Sequence, residues 1–586
     1  MKYSDQLADW LLEEGYTHCF FITGGNIMHL VESLSHKLDC RPTVHEVAAG
    51  IAAEYFNETS KNGKAFALVT AGPGITNIMT AIAGSYLESR ELLVIAGQVK
   101  TSDIATKQLR QNGIQEISGI DIAKPICKRS LRLLEPWGKE KLFSEINCSS
   151  SGRKGPVFLE IPIDVQGQNV KFNNNELISK ELLLPVVDDL IISQIVEDLK
   201  VSSSPVILLG GGVDRKTIDQ VYKLFADTTI PIMTTWNAAD RISSNHPNYA
   251  GRPNTWGQRS ANILIQQSDL LIAIGTRLSL QQTGFNWQEF IPRGKIIQID
   301  IDESELEKKN PVINLGLAVD ANDFIKRLMD NDLGSHDNWL KYCQALRKKI
   351  PLIEIMANKL SESYVSPHLL IESLSSVCTE EDIIIPCSSG GAFTCFMQVF
   401  EQKRGQKIVS NKGLASMGYG LSGAIGASIS NPDKRIFLLE GDGGFAQNIQ
   451  EIGTAAMNNC NIKLFLFHDN GYASIRMTQK NYFNGNYVGC DVSTGLGLPN
   501  WKKLFAAWDV ESYEITPNMF KSKNYIEKLS QNGFQAFIVK VNPEQTYFPK
   551  ITSRVTSSGS MASNSIEKMT PDLPFDYEDF SNEFKP

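Results

Sequence analysis

The sequence predicts an α/β protein with three doubly wound domains, each built on a mainly parallel sheet, and a C-terminal tail. Short apolar runs of strand length recur along the chain, and several of them end at glycine-rich turns. Between these runs, apolar residues recur at helical spacing, which is the pattern of βαβ units. A chain of 586 residues has room for about three or four domains of ordinary size, and 42% hydrophobic residues can fill their cores.

The first domain is predicted at residues 1–168. An amphipathic helix follows Ser4 and stops at Gly15, and an alanine-rich helix follows His45. The apolar runs that predict its buried strands are residues 19–22, 65–70, 92–96 and 157–161. Residues 167–180 are polar and are predicted to be a linker.

The second domain is predicted at residues 185–330 from the same alternation of strands and helices. Its apolar runs at 206–209 and 270–274 meet Gly210 and Gly275, and the run at 296–301 ends in acids. Residues 330–338 read as the next linker because they are short, polar and acidic.

The third domain is predicted at residues 360–545 and contains the stretch with the clearest chemistry. An apolar run at 436–439 is stopped by Gly-Asp-Gly-Gly, and a second run at 462–467 is followed by Asp469. Adjacent parallel strands bring their carboxyl ends together, so Asp442 and Asp469 could share one Mg²⁺ beside a diphosphate. The alternative for the first turn alone is a plain βα turn with solvated acids. The second acidic loop favours the metal–diphosphate interpretation.

Residues 546–586 lose this periodicity and gain serine, proline and acids. They are predicted to be a surface tail or a strap over a site, with disorder as the alternative.

The bulk composition argues against several classes of protein. A net charge of −8 gives no electrostatic case for binding nucleic acid or an anionic membrane. The chain has no apolar run of about 18 residues, so a membrane-spanning helix is not expected, and the polar first ten residues do not resemble a secretory signal. Ten scattered cysteines without a CxxC pair indicate a reduced, cytoplasmic protein rather than a disulfide framework or a zinc site.

Several motifs resemble a known family when they are taken in order. They are GGN at 24–26, HEVAAGIAAEYF at 45–56, TAGPGITN at 70–77, IAGQV at 95–99, QEI at 115–117, GPVFLEIPIDVQ at 155–166, GLASMGYGLSGAIGA at 413–427 and the GDGG stretch. The chain resembles the thiamine diphosphate (ThDP) enzymes of the pyruvate-oxidase and decarboxylase type, and most closely the acetolactate synthase catalytic (large) subunit. The resemblance extends to about residue 545.

The resemblance implies a catalytic role for Glu46, which matches the glutamate that hydrogen-bonds N1′ of the ThDP aminopyrimidine. Without the family, Glu46 would be read as a first-turn acid that opposes the helix dipole. Met417 matches the apolar residue that supports the bent form of ThDP, and its alternative role is to fill a gap in the core. Gln115 matches a glutamine near the substrate, although the residue before it is Ile114 rather than an aromatic.

The resemblance also implies a Mg²⁺ site formed by the side chains of Asp442 and Asp469 and the carbonyl of Gly471. The spacing of 27 positions (469 − 442) fits the family. The second ligand is usually asparagine, so Asn470 is the alternative to Asp469. Tyr472 follows these ligands and is predicted to contact the cofactor. The residues expected to hold the diphosphate are Gly391, Ala392, Gly443 and Gly444, although relatives often carry Gln-His at the first pair.

The middle domain corresponds to the part that binds FAD in acetolactate synthases. Gly210, Gly211, Arg277 and Asp300 lie where those enzymes contact the flavin, and the alternative is an empty domain that only packs. The flavin would be structural, because decarboxylative carboligation needs no net redox.

The resemblance therefore implies a carboligase that decarboxylates a 2-oxo acid such as pyruvate and transfers the activated aldehyde to a second carbonyl. A homodimer or homotetramer is implied, since the family builds its sites between subunits. Ile163 replaces the lysine of the synthase motif PKDVQ, which suggests a bulkier or less anionic acceptor. The alternatives are a non-carboligating decarboxylase or C–C hydrolase on the same scaffold, and a binding or regulatory subunit.

Overall fold

The computed structural model describes residues 1–106, 109–172, 186–358, 360–555 and 557–584. Three six-stranded sheets follow one another along the chain, and every strand pair within them is parallel. The predicted α/β class is confirmed. Most of the predicted linker at 167–180 lies outside the described residues.

The first sheet has the strand order β2-β1-β3-β4-β6-β5. Its strands are β1 (Tyr16–Phe21), β2 (Asp39–Pro42), β3 (Lys64–Val69), β4 (Leu92–Gln98), β5 (Arg129–Arg132) and β6 (Pro156–Pro162). The helices around it are α1 (Tyr3–Glu13), α2 (Met28–Ser35), α3 (Glu46–Thr59), α4 (Pro73–Glu88), α5 (Gly119–Ala123), α6 (Lys139–Ile146) and α7 (Ile163–Gly167).

The second sheet has the order β12-β11-β10-β7-β8-β9. Its strands are β7 (Pro205–Leu209), β8 (Ile232–Thr234), β9 (Tyr249–Gly251), β10 (Leu270–Ile274), β11 (Lys295–Asp300) and β12 (Leu315–Ala318). Its helices are α8 (Asp189–Val201), α9 (Arg215–Asp227), α10 (Arg259–Gln266), α11 (Leu280–Thr283), α12 (Glu303–Glu307) and α13 (Ala321–Met329). The predicted linker at 330–338 ends inside a helix, α14 (Asp337–Lys349), because Tyr342, Cys343 and Leu346 supply a buried stripe at helical spacing.

The third sheet has the order β14-β13-β15-β16-β18-β17. Its strands are β13 (Ile383–Ile385), β14 (Lys407–Ile408), β15 (Ile436–Gly441), β16 (Ile462–His468), β17 (Glu511–Ile515) and β18 (Gln535–Lys540). Its helices are α15 (Pro367–Val377), α16 (Gly390–Val399), α17 (Tyr419–Ser430), α18 (Asp442–Phe445), α19 (Glu451–Met457), α20 (Ala473–Tyr482), α21 (Trp501–Ala506) and α22 (Pro517–Ser522).

The first and third sheets are joined by the packing of α3 against α17. A Cβ on Gly426 would overlap the backbone of Ala52, and a Cβ on Gly423 would lie 2.6 Å from the ring of Tyr55. Glycine and alanine therefore let the two helix backbones approach closely, and both helices are buried along nearly their whole length.

The described part of the tail contains short strands and a helix and lies on the second domain. Its elements are β19 (Lys550–Ile551), β20 (Ser553–Val555), β21 (Met561–Ser563), β22 (Met569–Thr570) and α23 (Tyr577–Asn582), with antiparallel pairs β19–β22 and β20–β21. The side chain of Asn262 in α10 donates to the carbonyl of Ile566 at 3.0 Å, and the ring of Phe580 lies 6.0 Å from that of Tyr342. Disorder is therefore wrong for the described part of the tail.

None of the helices in the described ranges is both long enough and apolar enough to cross a membrane.

Candidate active site

The acidic turn lies at the carboxyl edge of the third sheet. β15 and β16 are parallel neighbours in a register that pairs Gly441 with Phe467. Asp442 begins α18 directly after β15, and Asp469 follows the last residue of β16. The ends of these two strands lie side by side, so both carboxylates are at the same edge of the sheet.

Asp442 is fully buried, and the loop after β16 folds around its carboxylate. The ring Nδ1 of His468 donates to Oδ2 at 2.7 Å, and the backbone N–H of Asn470 donates to the same oxygen at 2.9 Å. The N–H of Gly471 donates to Oδ1 at 3.3 Å. These bonds fix the orientation of Asp442 before any ligand arrives.

Gly471 brings the loop against the turn. A Cβ on this residue would overlap the carbonyl of Cys490, so a larger residue does not fit. Its own carbonyl oxygen lies 2.9 Å from where a Cβ on Gly443 would stand, and the ring of Tyr472 lies 2.5 Å from the same point. The carbonyl of Gly471 and the ring of Tyr472 therefore face the GDGG turn.

Asp469 is buried in an ion pair with Arg476 of α20. Nη2 of Arg476 lies 2.9 Å from Oδ1 of Asp469 and 3.0 Å from its carbonyl oxygen. Burial, and then the negative charge of Asp442, raise the pKa of Asp469, while Arg476 opposes that rise. Asn470 is exposed and reaches Asp442 through its backbone N–H.

This donor set fits Mg²⁺. Asp442, Asp469 and the Gly471 carbonyl offer only oxygen, which is the ligand type that this hard cation prefers. The described ranges contain no group of three or more His, Cys, Asp or Glu side chains able to hold a metal. The protein would supply part of the coordination shell, with phosphate oxygens and water completing it.

The residues predicted to hold a diphosphate surround the same edge. Gly443 and Gly444 lie in the first turn of α18, and Gly391 and Ala392 lie in the first turn of α16, where backbone N–H groups are unpaired. Met417 is 38% exposed in the loop before α17, and its Cβ lies 3.9 Å from where a Cβ on Gly444 would be. These five residues are brought together.

Glu46 and Gln115 meet at the glycine loop of the first domain. Asn77 Nδ2 donates to Oε2 of Glu46 at 3.0 Å, and Oε1 lies 3.6 Å from where a Cβ on Gly74 would be. Gln115 has a positive φ of 61°, and its carbonyl lies 2.5 Å from where a Cβ on Gly72 would be. The side-chain contacts of Glu46 are thus within its own domain.

The backbone in front of Glu46 is held by the third domain. Glu451 Oε1 accepts from the N–H of His45 at 2.9 Å and from the N–H of Val44 at 3.2 Å. Glu451 belongs to α19, which follows the GDGG turn, so the start of α3 is positioned from that side of the protein.

A cavity of about 1800 Å³ opens at the carboxyl ends of the second sheet. Gly211, Arg277 and Asp300 line it, and burial raises the pKa of Asp300. Gly210 instead packs behind the lining, where a Cβ would overlap the carbonyl of Gly275. The volume exceeds the roughly 300–1,000 Å³ of ordinary small-ligand sites, so the cavity has room for a ligand as large as a dinucleotide.

Two buried polar atoms at this cavity fit a bound ligand. Trp236 Nε1 and Asn237 Oδ1 have no hydrogen-bond partner among the residues that the structure describes, and both residues line the cavity. Buried polar groups are normally paired, so a donor–acceptor ligand such as a flavin nucleotide would satisfy them. Lys412 and Gly413, from the loop that carries Met417, line the same cavity.

Sequence reasoning missed five residues that shape these sites: Asn77, Glu451, His468, Arg476 and Tyr547. His468 and Arg476 lie on either side of residues 469–472 (DNGY). Aspartate is unexpected at position 469, and the positive charge of Arg476 a few residues later was a signal that could have identified Arg476. Glu451 and Tyr547 act through contacts with segments far away in the chain, which spacing does not reveal.

Three protein-family models match the chain. The thiamine pyrophosphate enzyme N-terminal TPP binding domain covers residues 1–122, the central domain 192–328 and the C-terminal TPP binding domain 389–539.

The chain is also similar to named proteins over most of its length. The chain is 30% identical over 482 residues to the acetolactate synthase large subunit of Corynebacterium glutamicum, covering 80% of this chain and 75% of the relative. It is 27% identical to the acetolactate synthase isozyme 1 large subunit of Escherichia coli, covering 93% and 95%. It is 29% identical to a probable acetolactate synthase large subunit of Methanococcus aeolicus, covering 87% and 86%.

Proposed function

The chain belongs to the thiamine pyrophosphate enzyme family and is an acetolactate synthase-like enzyme, and from that premise we propose a ThDP- and Mg²⁺-dependent carboligase. It decarboxylates a 2-oxo acid such as pyruvate and transfers the remaining carbon unit to a second carbonyl compound. We retain the domain bounds 1–168, 185–330 and 360–545, with a tail at 546–586.

The observation that carries the proposal is the convergence of Asp442, Asp469 and the Gly471 carbonyl beside two helix N-termini. An all-oxygen metal site next to unpaired N–H groups suits a magnesium diphosphate. Asp469 is the second side-chain ligand rather than Asn470, because it is buried beside Asp442 whereas Asn470 is exposed. Gly391, Ala392, Gly443, Gly444 and Tyr472 contact the diphosphate end of the cofactor.

Bound ThDP supplies a nucleophilic carbon at C2 of its thiazolium ring. Glu46 would donate a hydrogen bond to N1′ of the aminopyrimidine, and Asn77, which donates to Glu46 at 3.0 Å, would hold the carboxyl group for that role. Met417 supports the cofactor from the exposed loop above Gly444. Gln115, on the other side of the glycine loop from Glu46, faces the substrate.

A second copy of the chain completes each site. Glu46 is bound within the first domain, and the metal ligands belong to the third. Apolar side chains are exposed near both halves, including Val44 and Ile114 on one side and Ile475 and Phe483 on the other. Large exposed apolar groups mark interfaces, so we propose a homodimer or homotetramer.

The acceptor differs from that of the standard synthase reaction. Ile163 begins α7 where the synthase motif has lysine, so that positive charge is missing. We therefore expect a carbonyl acceptor that is bulkier or less anionic than pyruvate.

FAD occupies the cavity of the second domain in this proposal. Gly211, Arg277 and Asp300 line it, and the unpaired Trp236 and Asn237 atoms would gain partners. Gly210 contributes by letting the turn after β7 pack closely. The flavin is structural, since the reaction needs no net redox.

The protein is assigned to the cytoplasm because all ten cysteines, each in a described range, are free thiols. The net charge of −8 favours neither nucleic acid nor an anionic membrane as a partner.

Product analysis tests the function. The purified chain is incubated with ThDP, MgCl₂, labelled pyruvate and a panel of oxo acids, aldehydes and keto-sugars, and products are identified by mass. A coupled ketol with loss of CO₂ supports the proposal. Free aldehyde with CO₂ and no ketol would establish a simple decarboxylase, and cleavage by water would establish a hydrolase.

Glu46→Gln is measured in the same assay, with Glu13→Gln, at an exposed acid of α1, as the control. A protein that binds ThDP but turns over no member of the panel would favour the binding or regulatory subunit.

A further inference from the structure

We propose that Arg476 is the counter-ion that lets this chain use aspartate where relatives use asparagine at the second metal position. The charges of Asp469 and Arg476 cancel, so the pair has no net charge, as a neutral asparagine ligand has none. The inference rests on the proposed function, because it concerns how the chain's own residues meet a magnesium diphosphate.

The geometry of Arg476 is specific for Asp469. Nη2 reaches Oδ1 at 2.9 Å and the carbonyl at 3.0 Å, and Nη1 reaches the same carbonyl at 3.3 Å. The other nearby acid, Asp491, is farther away at 3.6 Å. Nε of Arg476 donates to the carbonyl of Pro543 at 3.2 Å. A planar guanidinium held on both edges orients one carboxylate oxygen and leaves Oδ2 of Asp469 for a ligand.

The charge balance explains why the ion pair is needed. Asp442 and Asp469 are 0% and 5% exposed, and a diphosphate adds further negative charge at the same sheet edge. Burying one charge without a partner is costly, whereas a hydrogen-bonded pair is tolerated. Arg476, 4% exposed, removes the excess negative charge that aspartate introduces in place of asparagine.

The competing explanation is that Arg476 only braces the loop between β16 and α20. The two explanations differ in what happens when both charges are removed together. If charge balance matters, the double variant with Asp469→Asn and Arg476→Met restores the binding of ThDP and Mg²⁺. If Arg476 only holds the loop in place, replacing Asp469 as well cannot restore the binding that is lost in Arg476→Met.

The experiment measures binding rather than turnover, in Arg476→Met, Asp469→Asn and the double variant. ThDP affinity is read from quenching of tryptophan fluorescence at saturating MgCl₂, and Mg²⁺ half-saturation is read at saturating ThDP. Melting temperatures without cofactor show that each variant is folded. Arg476→Lys, which keeps the charge, serves as the conservative variant, and Arg476→Gln replaces the methionine variant if that one does not fold.

Each single variant is expected to weaken the binding of a different ligand, and the double variant is expected to reverse both effects. Arg476→Met weakens ThDP binding by about tenfold or more, because the site gains net negative charge. Asp469→Asn raises the Mg²⁺ requirement by about tenfold, because the site loses one of its two carboxylates and Arg476 then offsets the charge of Asp442. The double variant returns both constants to within about threefold of the wild type, and Arg476→Lys stays close to it.

Two results would overturn the inference. One is a double variant whose losses are the product of the single losses, and the other is wild-type ThDP affinity in Arg476→Met. Neither result affects the proposed function, which fails instead if the wild-type protein does not bind ThDP with Mg²⁺.

Discussion

The ring of Tyr547 occupies the space into which a side chain on Gly391 would point. Tyr547 is 3% exposed and comes from the segment that leaves the third domain, whereas Gly391 lies in the first turn of α16. A Cβ on Gly391 would overlap Cζ and the hydroxyl of Tyr547. The place where relatives often carry a polar side chain is thus filled by an aromatic ring from a remote part of this chain.

Gly391→Ala is therefore expected to destabilise the protein by about 1–3 kcal/mol, because the buried ring of Tyr547 has little freedom to move away. Thermal melting without cofactor measures the effect. Gly441→Ala is the matched control, since Gly441 lies at the same sheet edge with open space around its Cβ position and a φ of −78°. The cost of Gly391→Ala should shrink in a Tyr547→Leu background. Equal melting temperatures for the two alanine variants would contradict this packing.

Glu46→Gln is expected to lower turnover by about 10²- to 10⁴-fold, the usual contribution of a general acid–base group. ThDP affinity should stay within a few-fold of the wild type, because the contact proposed for Glu46 is at the end of the cofactor far from the diphosphate. CO₂ release from labelled pyruvate and a ThDP titration measure the two quantities. Asn77→Ala should cause a smaller loss, since it removes only the 3.0 Å bond that orients Glu46. Unchanged turnover in Glu46→Gln would remove the assigned role.

The sequence predicts nine of the eighteen described strands of the three sheets, because those nine are short apolar runs, several of which end at glycine or an acid. The runs at 270–274 and 436–439 illustrate this, and β10 and β15 lie there. The two acids of the candidate site are predictable for the same reason, since parallel strands share one carboxyl edge. Glu451 and Tyr547 are not predictable this way, because their contacts join segments that the local pattern does not relate, whereas Arg476 lies seven residues from Asp469. The tail was ambiguous because its apolar residues are sparse and need a surface on the second domain to pack against.

Asp300→Ala is expected to weaken FAD binding by about tenfold or more, the loss typical of a hydrogen bond to a charged group. Asp300 ends β11 and lines the cavity, whereas Glu303, the first residue of α12, is exposed and provides the control Glu303→Gln. Visible absorption of the protein after gel filtration gives the amount of bound flavin. A wild-type protein that stays colourless after incubation with FAD would refute the flavin assignment and leave the carboligase proposal standing.

His368 is expected to make the third domain sensitive to acid. Burial lowers the pKa of His368 from 6.5 to about 4, with a smaller opposing effect of the hydrogen bond to Gln398. Because the pKa is depressed in the folded state, the stabilising contribution is complete above pH 6.5 and is lost as the pH falls through about 4. The difference corresponds to about 3 kcal/mol.

Melting temperatures of wild type and His368→Gln between pH 7 and pH 4 test this expectation. The variant should lose less stability on acidification than the wild type. His36→Gln, at an exposed histidine, should follow the wild-type curve. Parallel curves for wild type and His368→Gln would show that His368 does not contribute to acid sensitivity.

The position of the tail has a consequence for synthesis on the ribosome. The second domain is translated well before residues 546–584, yet part of its surface around α10 and α14 is covered by that tail. Domains fold as they emerge, so this one has apolar surface uncovered until the tail has been synthesised. A chain that stops early would carry a complete second sheet and an exposed patch on it, and quality-control proteases would have a means of recognising unfinished copies.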